Sequence, residues 1–345
     1  MNYLEIITIG CEYTPPKGGV AQILYNYEKY IFPEFKCITN SGNGNTLYKL
    51  WKAVSALIQL FFTLLFNKQI KIVHIHTASY NSFRRSAWFV RLGKAMNRKV
   101  ILHIHGGGFK DFYQTTPQYV SKVLNQCDCI IALSPKWQDF FKSISTCPMI
   151  EIVDNVIAPP TILDVKKDTD KIHLLFLGLI TEQKGIFDLL EVLSEHKDEF
   201  EGKIVLHIGG NGKVDKLKEF IHTKGLQNIV IYEGWVSGEK KIQMFNISDV
   251  FILPSYTEGL PVSILEAMSY GLPILSTPVG GIPEVVNESN GILFEPGNKN
   301  EIYDSILKLI NSDINSATIK EQSLKYLPEN IKSQLDAIYQ QLESL

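Results

Sequence analysis

The chain has 345 residues, too many for one ordinary hydrophobic core and enough for two domains of about 150–170 residues with a cleft between them. Its net charge is −2, but the halves differ: residues 1–160 hold 17 Lys/Arg against 9 Asp/Glu, a net of +8, leaving 17 against 27, or −10, for residues 161–345. We therefore expect the first half to favour anions, and we expect no nucleic-acid partner.

In the first half, short runs rich in Ile and Val alternate with helical periodicity, which is typical of βαβ units and a parallel sheet. The predicted strands are 4–10, 70–76, 98–105, 129–134 and 149–155. The N-terminal MNYLEIITIG runs directly into the first of them, without the basic and apolar regions of a signal peptide. The five cysteines are odd in number and form no C-x-x-C pair, so we expect a reduced, cytoplasmic protein.

Two helical segments of the first half are unusual. Residues 53–66, AVSALIQLFFTLLF, carry no charge over 14 residues, fewer than the ~18–20 that span a bilayer, which favours a buried or interfacial helix. Residues 84–99 carry six cations and no acid, with Trp88, Phe89 and Val90 among them. A basic amphipathic helix suits an anionic membrane surface, so we expect peripheral association at the inner face of the membrane. The alternative is that these apolar residues face the domain's own core.

The second half repeats the strand and helix pattern. Its predicted strands are 172–178, 203–210, 228–234, 249–255 and 272–277. The Pro-containing, charged stretch 158–171 has the composition of a linker. The sequence therefore predicts an α/β protein with doubly wound domains at 1–160 and 161–325, and a C-terminal helix at 326–345 for which a return to the first domain is an open alternative.

The most informative stretch is SYTEGLPVSILEAMSYGLPILSTPVGGIPEVV, residues 255–286. Ligands of open parallel sheets bind beyond the carboxyl ends of the strands, and this segment follows one of them. Pro261 is predicted at the first helical position, so that the N–H groups of Gly259, Leu260 and Val262 can bind phosphate at the positive end of the helix dipole.

Two carboxylates flank this phosphate site. Glu266 comes about one and a half helical turns later, within reach of a ribose diol, and Glu258 precedes the turn, where a transferred group would lie. One carboxylate for ribose hydroxyls and one for hexose hydroxyls match a nucleotide-sugar.

This stretch, with the following NGILFEPGN, resembles the donor-binding signature of glycosyltransferase family 4, retaining enzymes of the GT-B fold. Three other segments resemble loops of the same family more weakly: FLGLITEQKGIFDLLEV, HIGGNGKVDKLKEF and PPKGGVAQ. The resemblance implies two Rossmann-like domains facing across a cleft, of which 1–160 binds the acceptor and 161–325 binds the nucleotide-sugar. It also implies diphosphate binding by Lys184 and by a glycine loop at Gly18 and Gly19. The family usually has an arginine where this chain has Leu179, so Lys184 alone supplies the side-chain cation of that loop.

Two H-x-H pairs, His74/His76 and His103/His105, come at strand ends. Alternate residues of a strand share a face, so each pair could in principle bind a metal. No carboxylate or cysteine stands at a fixed spacing to complete a site, so we expect no metal and no cofactor besides the donor substrate. His105 resembles the family histidine that positions the hexose, and we assign it with Glu258 to the catalytic site. His103 is expected to be packed inside.

The resemblance implies a hexosyltransferase that uses a glycan or lipid-linked glycan as acceptor, in cell-surface polysaccharide biosynthesis. Two alternatives stay open: a GT-B-like nucleotide-sugar epimerase, and a non-catalytic GT-B binding protein. Dehydrogenase and P-loop interpretations are weaker, because no G-x-G-x-x-G is complete and Lys213 is followed by Val rather than Ser or Thr.

Overall fold

The computed structural model describes residues 3–42, 44–165, 170–312 and 314–344, and they form two compact units. Unit 1 comprises Met1–Ala158 and Tyr326–Leu345, and unit 2 comprises Pro159–Lys325. The predicted α/β class with two doubly wound domains is confirmed, since each unit holds a six-stranded sheet in which every pairing is parallel.

Unit 1 is built on the strand order β2-β1-β3-β4-β5-β6. Its strands are β1 (Ile6–Cys11), β2 (Cys37–Ser41), β3 (Ile72–Thr77), β4 (Lys99–Ile104), β5 (Cys129–Ala132) and β6 (Ile150–Ile152). Its helices are α1 (Gly19–Asn26), α2 (Thr46–Phe66), α3 (Asn81–Ala95), α4 (Phe109–Thr115), α5 (Pro117–Leu124), α6 (Pro135–Ile144) and the C-terminal α14 (Pro328–Ser344). The order reverses between β1 and β3, which makes their carboxyl ends the topological switch point of this sheet.

The C-terminal helix α14 packs into unit 1. The Tyr3 hydroxyl donates to Asp336 Oδ1 at 2.8 Å, and the Tyr339 hydroxyl lies 2.8 Å from His74 Nδ1. Leu335 and Tyr339 are fully buried. This helix therefore covers the face of the sheet that carries His74.

Unit 2 has the strand order β12-β11-β10-β7-β8-β9, the Rossmann order with its switch between β7 and β10. Its strands are β7 (Ile172–Leu177), β8 (Ile204–Gly209), β9 (Val230–Gly234), β10 (Val250–Leu253), β11 (Ile274–Ser276) and β12 (Gly291–Leu293). Its helices are α7 (Ile186–Glu195), α8 (Lys197–Phe200), α9 (Val214–Thr223), α10 (Gly238–Ile247), α11 (Val262–Ser269), α12 (Lys299–Ile310) and α13 (Ser316–Ser323).

The segment 84–99 lies mostly on α3, and the structure decides which way its apolar residues face. Phe89 and Val90 are fully buried in the core of unit 1, whereas Trp88 is 42% exposed. The aromatic and aliphatic cluster that sequence suggested for a membrane surface is thus largely part of the domain core, while Arg84 and Arg91 of the same helix are exposed.

Candidate active site

The switch point of unit 2 brings two loops together. One follows β7 and contains a short 3-10 helix, Glu182–Lys184; the other follows β10 and contains Glu258. The Tyr256 N–H donates to the Gln183 carbonyl at 2.9 Å. Gly185 has φ +65, and a Cβ there would overlap the Pro254 carbonyl, so only glycine lets the loops approach this closely.

Lys184 and Glu258 meet where these loops touch. The Lys184 ammonium forms an ion pair with Glu258 Oε1, and the Ser255 hydroxyl donates to the same oxygen at 2.7 Å. Glu258 is only 9% exposed. A lysine and a carboxylate that the sequence assigned separately to phosphate and to sugar are therefore direct neighbours, and each holds the other in place.

The Gly280-Gly281 loop supports the Glu258 turn from behind. The Gly281 N–H donates to the Gly259 carbonyl at 2.6 Å, and the Thr277 hydroxyl donates to the Ser255 carbonyl at 2.6 Å. Gly280 has φ +58, and a Cβ there would overlap the Glu258 carbonyl. The sequence motif contains this glycine pair, but its supporting role is visible only in the contacts.

The helix after the turn begins one residue later than predicted. Pro261 is the N-cap of α11, with ψ 120, and Val262 is its first helical residue. Proline fits this cap because its φ of −66 is the value that its ring imposes. The side chains of Leu260 and Val262 are buried, so any contact that they and Gly259 make with a phosphate would come from their backbone N–H groups at the helix N-terminus.

Glu266 lies on the second turn of α11 and is 7% exposed. Its Oε1 accepts from the ammonium of Lys241 at 2.6 Å, a residue of α10. Sequence reasoning missed Lys241, because nothing in its local pattern distinguishes it from the neighbouring surface lysine. Each of the two motif glutamates is thus paired with a lysine from another element.

Leu179, at the position where the resembling family has arginine, is 49% exposed. It lies in the loop between β7 and Lys184, directly after Gly178, whose N–H donates to the Gly209 carbonyl of β8 at 3.0 Å. An aliphatic side chain here supplies no hydrogen bond to an anion, so Lys184 is the cation that this loop offers.

In unit 1, Gly18 and Gly19 follow β1 at its switch point. Gly18 has φ +107 and caps α1, a backbone conformation that favours glycine. Both glycines are exposed, and a Cβ added at either would meet nothing within 4 Å. Their backbone therefore presents an open surface at the N-terminus of a helix.

His105 follows β4 and belongs to a ladder of four histidines on one face of the sheet. His76 pairs in register with His103, and His76 Nδ1 lies 2.9 Å from His105 Nε2. His74, His76 and His103 are buried, as expected for His103, and His105 is half-buried. Burial lowers the pKa of His74 to about 3 and that of His105 to about 4, and it lowers the pKa values of His76 and His103 well below 6.5.

The sequence spacing suggested no third ligand for a metal at the His74/His76 pair. In the folded sheet, His103 lies close enough to be considered as that ligand. Nitrogens of His74, His76 and His103 lie within 4.8 Å of one another. Zinc needs nitrogens that converge at ~2.0–2.1 Å from one point. The rings of His74 and His103 are stacked instead, with centroids 5.5 Å apart and an interplanar angle of 6°. This stacking does not match a tetrahedral metal site.

Comparison with known proteins finds relatives of this sequence. Residues 162–326 match the family model of glycosyl transferases group 1. An uncharacterized glycosyltransferase of Methanocaldococcus jannaschii is 26% identical over 340 residues, which cover 91% of this chain and 83% of the relative. A putative colanic acid biosynthesis glycosyltransferase of Escherichia coli is 27% identical over 195 residues, covering 53% of this chain and 47% of the relative.

Solved structures extend the match to both units. The Anabaena protein HepE, in complex with UDP and glucose, superimposes with a TM-score of 0.75 at 16% identity, covering 99% of this chain and 100% of that chain. At this identity the likeness establishes the fold. The family match over residues 162–326 supports glycosyl transfer as the class of activity.

Proposed function

We propose that the chain transfers a hexose from a nucleoside diphosphate sugar to a hydroxyl of a glycan or lipid-linked glycan, with retention at the anomeric carbon. The observation that carries the proposal is the meeting of Lys184 and Glu258 at the switch point of unit 2, beside the N-terminus of α11. A cation, a helix N-terminus and a carboxylate at one sheet edge suit a diphosphate joined to a polyhydroxylated group.

The nucleotide end of the donor is assigned to Glu266 and to the start of α11. Lys241 binds Glu266 Oε1 and so fixes the carboxylate, whose Oε2 accepts hydrogen bonds from the ribose hydroxyls. The backbone N–H groups of Gly259, Leu260 and Val262 bind phosphate oxygens at the positive end of the helix dipole.

The reacting end of the donor is assigned to Lys184 and Glu258. Glu258 accepts hydrogen bonds from hexose hydroxyls, while Lys184 turns from Glu258 to the diphosphate. As the glycosidic bond breaks, negative charge grows on the departing phosphate, and a lysine held in advance stabilises that charge with little reorganisation. The departing phosphate takes the acceptor proton, so no side chain is assigned as general base.

Unit 1 is assigned to the acceptor. Gly18 and Gly19 offer backbone N–H groups to the diphosphate, and their open surroundings allow a ligand to approach the main chain. His105, neutral because burial lowers its pKa to about 4, positions the hexose as a hydrogen-bonding group rather than as a cation.

The relatives support the same assignment. HepE has been solved with UDP-glucose, which makes a nucleoside diphosphate hexose the first donor class to test. Relatives named for colanic acid and teichuronic acid biosynthesis support a role in cell-surface polysaccharide biosynthesis. We place the protein in the cytoplasm, where nucleotide-sugars are available.

A thermal-shift screen over UDP-, GDP- and ADP-sugars tests the proposal. At 100 times Kd, the cognate donor stabilises the protein by ~2.7 kcal/mol. Incubation of that donor with candidate lipid-linked acceptors then gives a glycosylated product and free nucleoside diphosphate in equal amounts. If no donor stabilises the protein, the proposal fails. Epimerised donor without acceptor would establish the epimerase alternative, and donor binding without any product would establish a non-catalytic binding protein.

A further inference from the structure

Helix α2 carries a long apolar face that the rest of unit 1 does not cover. The exposed residues recur at spacings of three and four along the helix and so form one stripe: Leu47, Leu50, Trp51, Val54, Ile58, Phe61, Phe62, Leu65 and Phe66. Over 21 residues this stripe is about 30 Å long. Scattered single apolar residues are normal on protein surfaces, but a continuous stripe of this size indicates a contact surface.

The opposite face of α2 packs against the rest of unit 1. Ala53, Ala56, Leu60 and Leu64 are buried, and the helix packs against β2 and α3. By length and composition α2 could cross a membrane. To cross a membrane, α2 would have to separate from β2 and α3 and expose the core residues that it covers. A helix buried along one face and apolar along the other is instead suited to lie flat in an interface.

The chain segment that carries the stripe is basic, although Lys52 of α2 and Lys94 of α3 are paired with Glu12 and Asp128. Residues 35–110 contain 12 Lys/Arg and no Asp/Glu. Arg98, just beyond α3, donates to the Leu64 carbonyl of α2 at 3.1 Å, which holds the basic helix beside the apolar one. Lys49, Lys68, Arg84 and Arg91 of this segment are exposed.

We propose that the α2 stripe, with the exposed cations of residues 35–110 around it, is the surface by which the protein docks on an anionic lipid bilayer. The stripe enters the headgroup and acyl boundary, and the cations bind lipid phosphates. Charge complementarity selects this occupant. A symmetric dimer through the same face would bring the exposed cations of two basic segments together, which disfavours a second copy.

The docking surface is independent of the donor site, since it uses none of the residues assigned to the nucleotide-sugar. It differs from the surface expected from sequence, because the apolar contact comes from α2 and α3 contributes mainly charge. Docking through it would bring unit 1, the unit assigned to the acceptor, to the surface where a lipid-linked acceptor is presented.

Co-sedimentation of the full chain with liposomes tests this proposal. The vesicles are phosphatidylcholine alone or phosphatidylcholine with 30% phosphatidylglycerol, in 0.1 M and 1 M NaCl. We expect binding to the anionic vesicles in 0.1 M NaCl, and at least several-fold weaker binding in 1 M NaCl, where the Debye length falls from ~10 Å to ~3 Å.

Two double variants separate the apolar and the charged contributions. Ile58→Gln/Phe62→Gln removes two stripe residues one helical turn apart, and Arg84→Gln/Arg91→Gln removes two exposed cations of α3. Each is expected to weaken anionic-vesicle binding at least tenfold. The matched control, Ile162→Gln/Ile231→Gln, changes two exposed isoleucines of unit 2 and should bind as the wild type does. Circular dichroism establishes that each variant is folded.

Three results would overturn the proposal. The wild type could stay in the supernatant with anionic vesicles in 0.1 M NaCl, or the Ile58→Gln/Phe62→Gln variant could bind as tightly as the wild type. Alternatively, sedimentation velocity without lipid could show a dimer that this variant dissociates, which would assign the stripe to a second copy. Calorimetric titration of nucleotide-sugars in the absence of lipid measures the donor site separately, so failure of docking and failure of the proposed function are distinguishable.

Discussion

The buried histidine ladder predicts that unit 1 loses stability in mild acid. The ladder comprises His74, His76, His103 and His105, of which His74 contacts Tyr339 of α14, and burial lowers the pKa of each. The folded protein therefore keeps these rings neutral, whereas the unfolded chain takes up protons as the pH falls below about 6.5. Because the unfolded state binds more protons, stability falls with decreasing pH.

The magnitude follows from these pKa values. At pH 5.5, one unit below the unfolded value and above the folded values of His74 and His105, each of these two rings favours unfolding by about 1.4 kcal/mol. These two rings together cost about 3 kcal/mol relative to pH 8, against a whole stability of ~5–15 kcal/mol for many domains. His76 and His103, whose pKa values are also lowered by burial, add to the loss. Most carboxylates are ionised in both states over this range, so the histidines dominate the change.

Urea unfolding followed by tryptophan fluorescence measures this loss in unit 1 alone. Three of the four tryptophans, Trp51, Trp88 and Trp137, lie in unit 1, so a Trp235→Phe background removes the signal of unit 2. The free energy of unfolding is measured from pH 8 to pH 5.5 in this background.

Replacing one ring of the ladder gives the matched comparison. His103→Leu should reduce the pH-dependent loss, since one titrating ring is gone. It should cost little at pH 8, because neither ring nitrogen of His103 has a hydrogen-bond partner among the described residues. His222→Gln, an exposed position on α9 of unit 2, is the control, and the unit 1 signal should match that of the Trp235→Phe background. A flat stability between pH 8 and pH 5.5, or an unaltered slope in His103→Leu, would refute the reasoning.

Two further predictions concern the loops of unit 2. Gly280→Ala should lower the free energy of unfolding by ~1–3 kcal/mol and reduce turnover, because the new Cβ strains the backbone at positive φ and overlaps the Glu258 carbonyl. Gly202→Ala, at φ +82 with open space around it, should cost less. Equal costs of the two variants in urea unfolding would contradict this prediction. Lys184→Met should weaken nucleoside diphosphate binding ~10–100-fold in calorimetric titration, while nucleoside affinity stays unchanged. Lys213→Met, at an exposed lysine, is the control. Equal losses of affinity for both ligands would contradict the assignment of Lys184 to the diphosphate.

Sequence was sufficient for the elements whose signal is local. The ten predicted strands all occur, each within a few residues of its predicted bounds. β2 and β12 were missed, because β2 (CITNS) is half polar and β12 (GIL) is only three residues long. Such short edge strands are stabilised by pairing with β1 and β11 rather than by their own composition.

The remaining features depend on contacts between distant parts of the chain. The Lys241–Glu266 pair joins α10 to α11, and the histidine ladder exists because β3 and β4 are neighbours in the sheet. The uncharged run 53–66 gave no indication of which apolar side would be buried, since both sides of α2 are apolar. The sequence placed the donor motif correctly on a strand, turn and helix, but the support that Gly280 gives to Glu258 required the folded loops.

The most direct test of the account compares two glutamate variants against one donor. Calorimetric titration and turnover are measured for the wild type, Glu266→Ala and Glu258→Gln, with the nucleoside diphosphate and with its sugar. The account predicts that Glu266→Ala weakens both ligands by ~1–3 kcal/mol, whereas Glu258→Gln leaves nucleoside diphosphate affinity unchanged and loses turnover. Unchanged nucleotide affinity in a folded Glu266→Ala, or equal losses of affinity and turnover in Glu258→Gln, would contradict it.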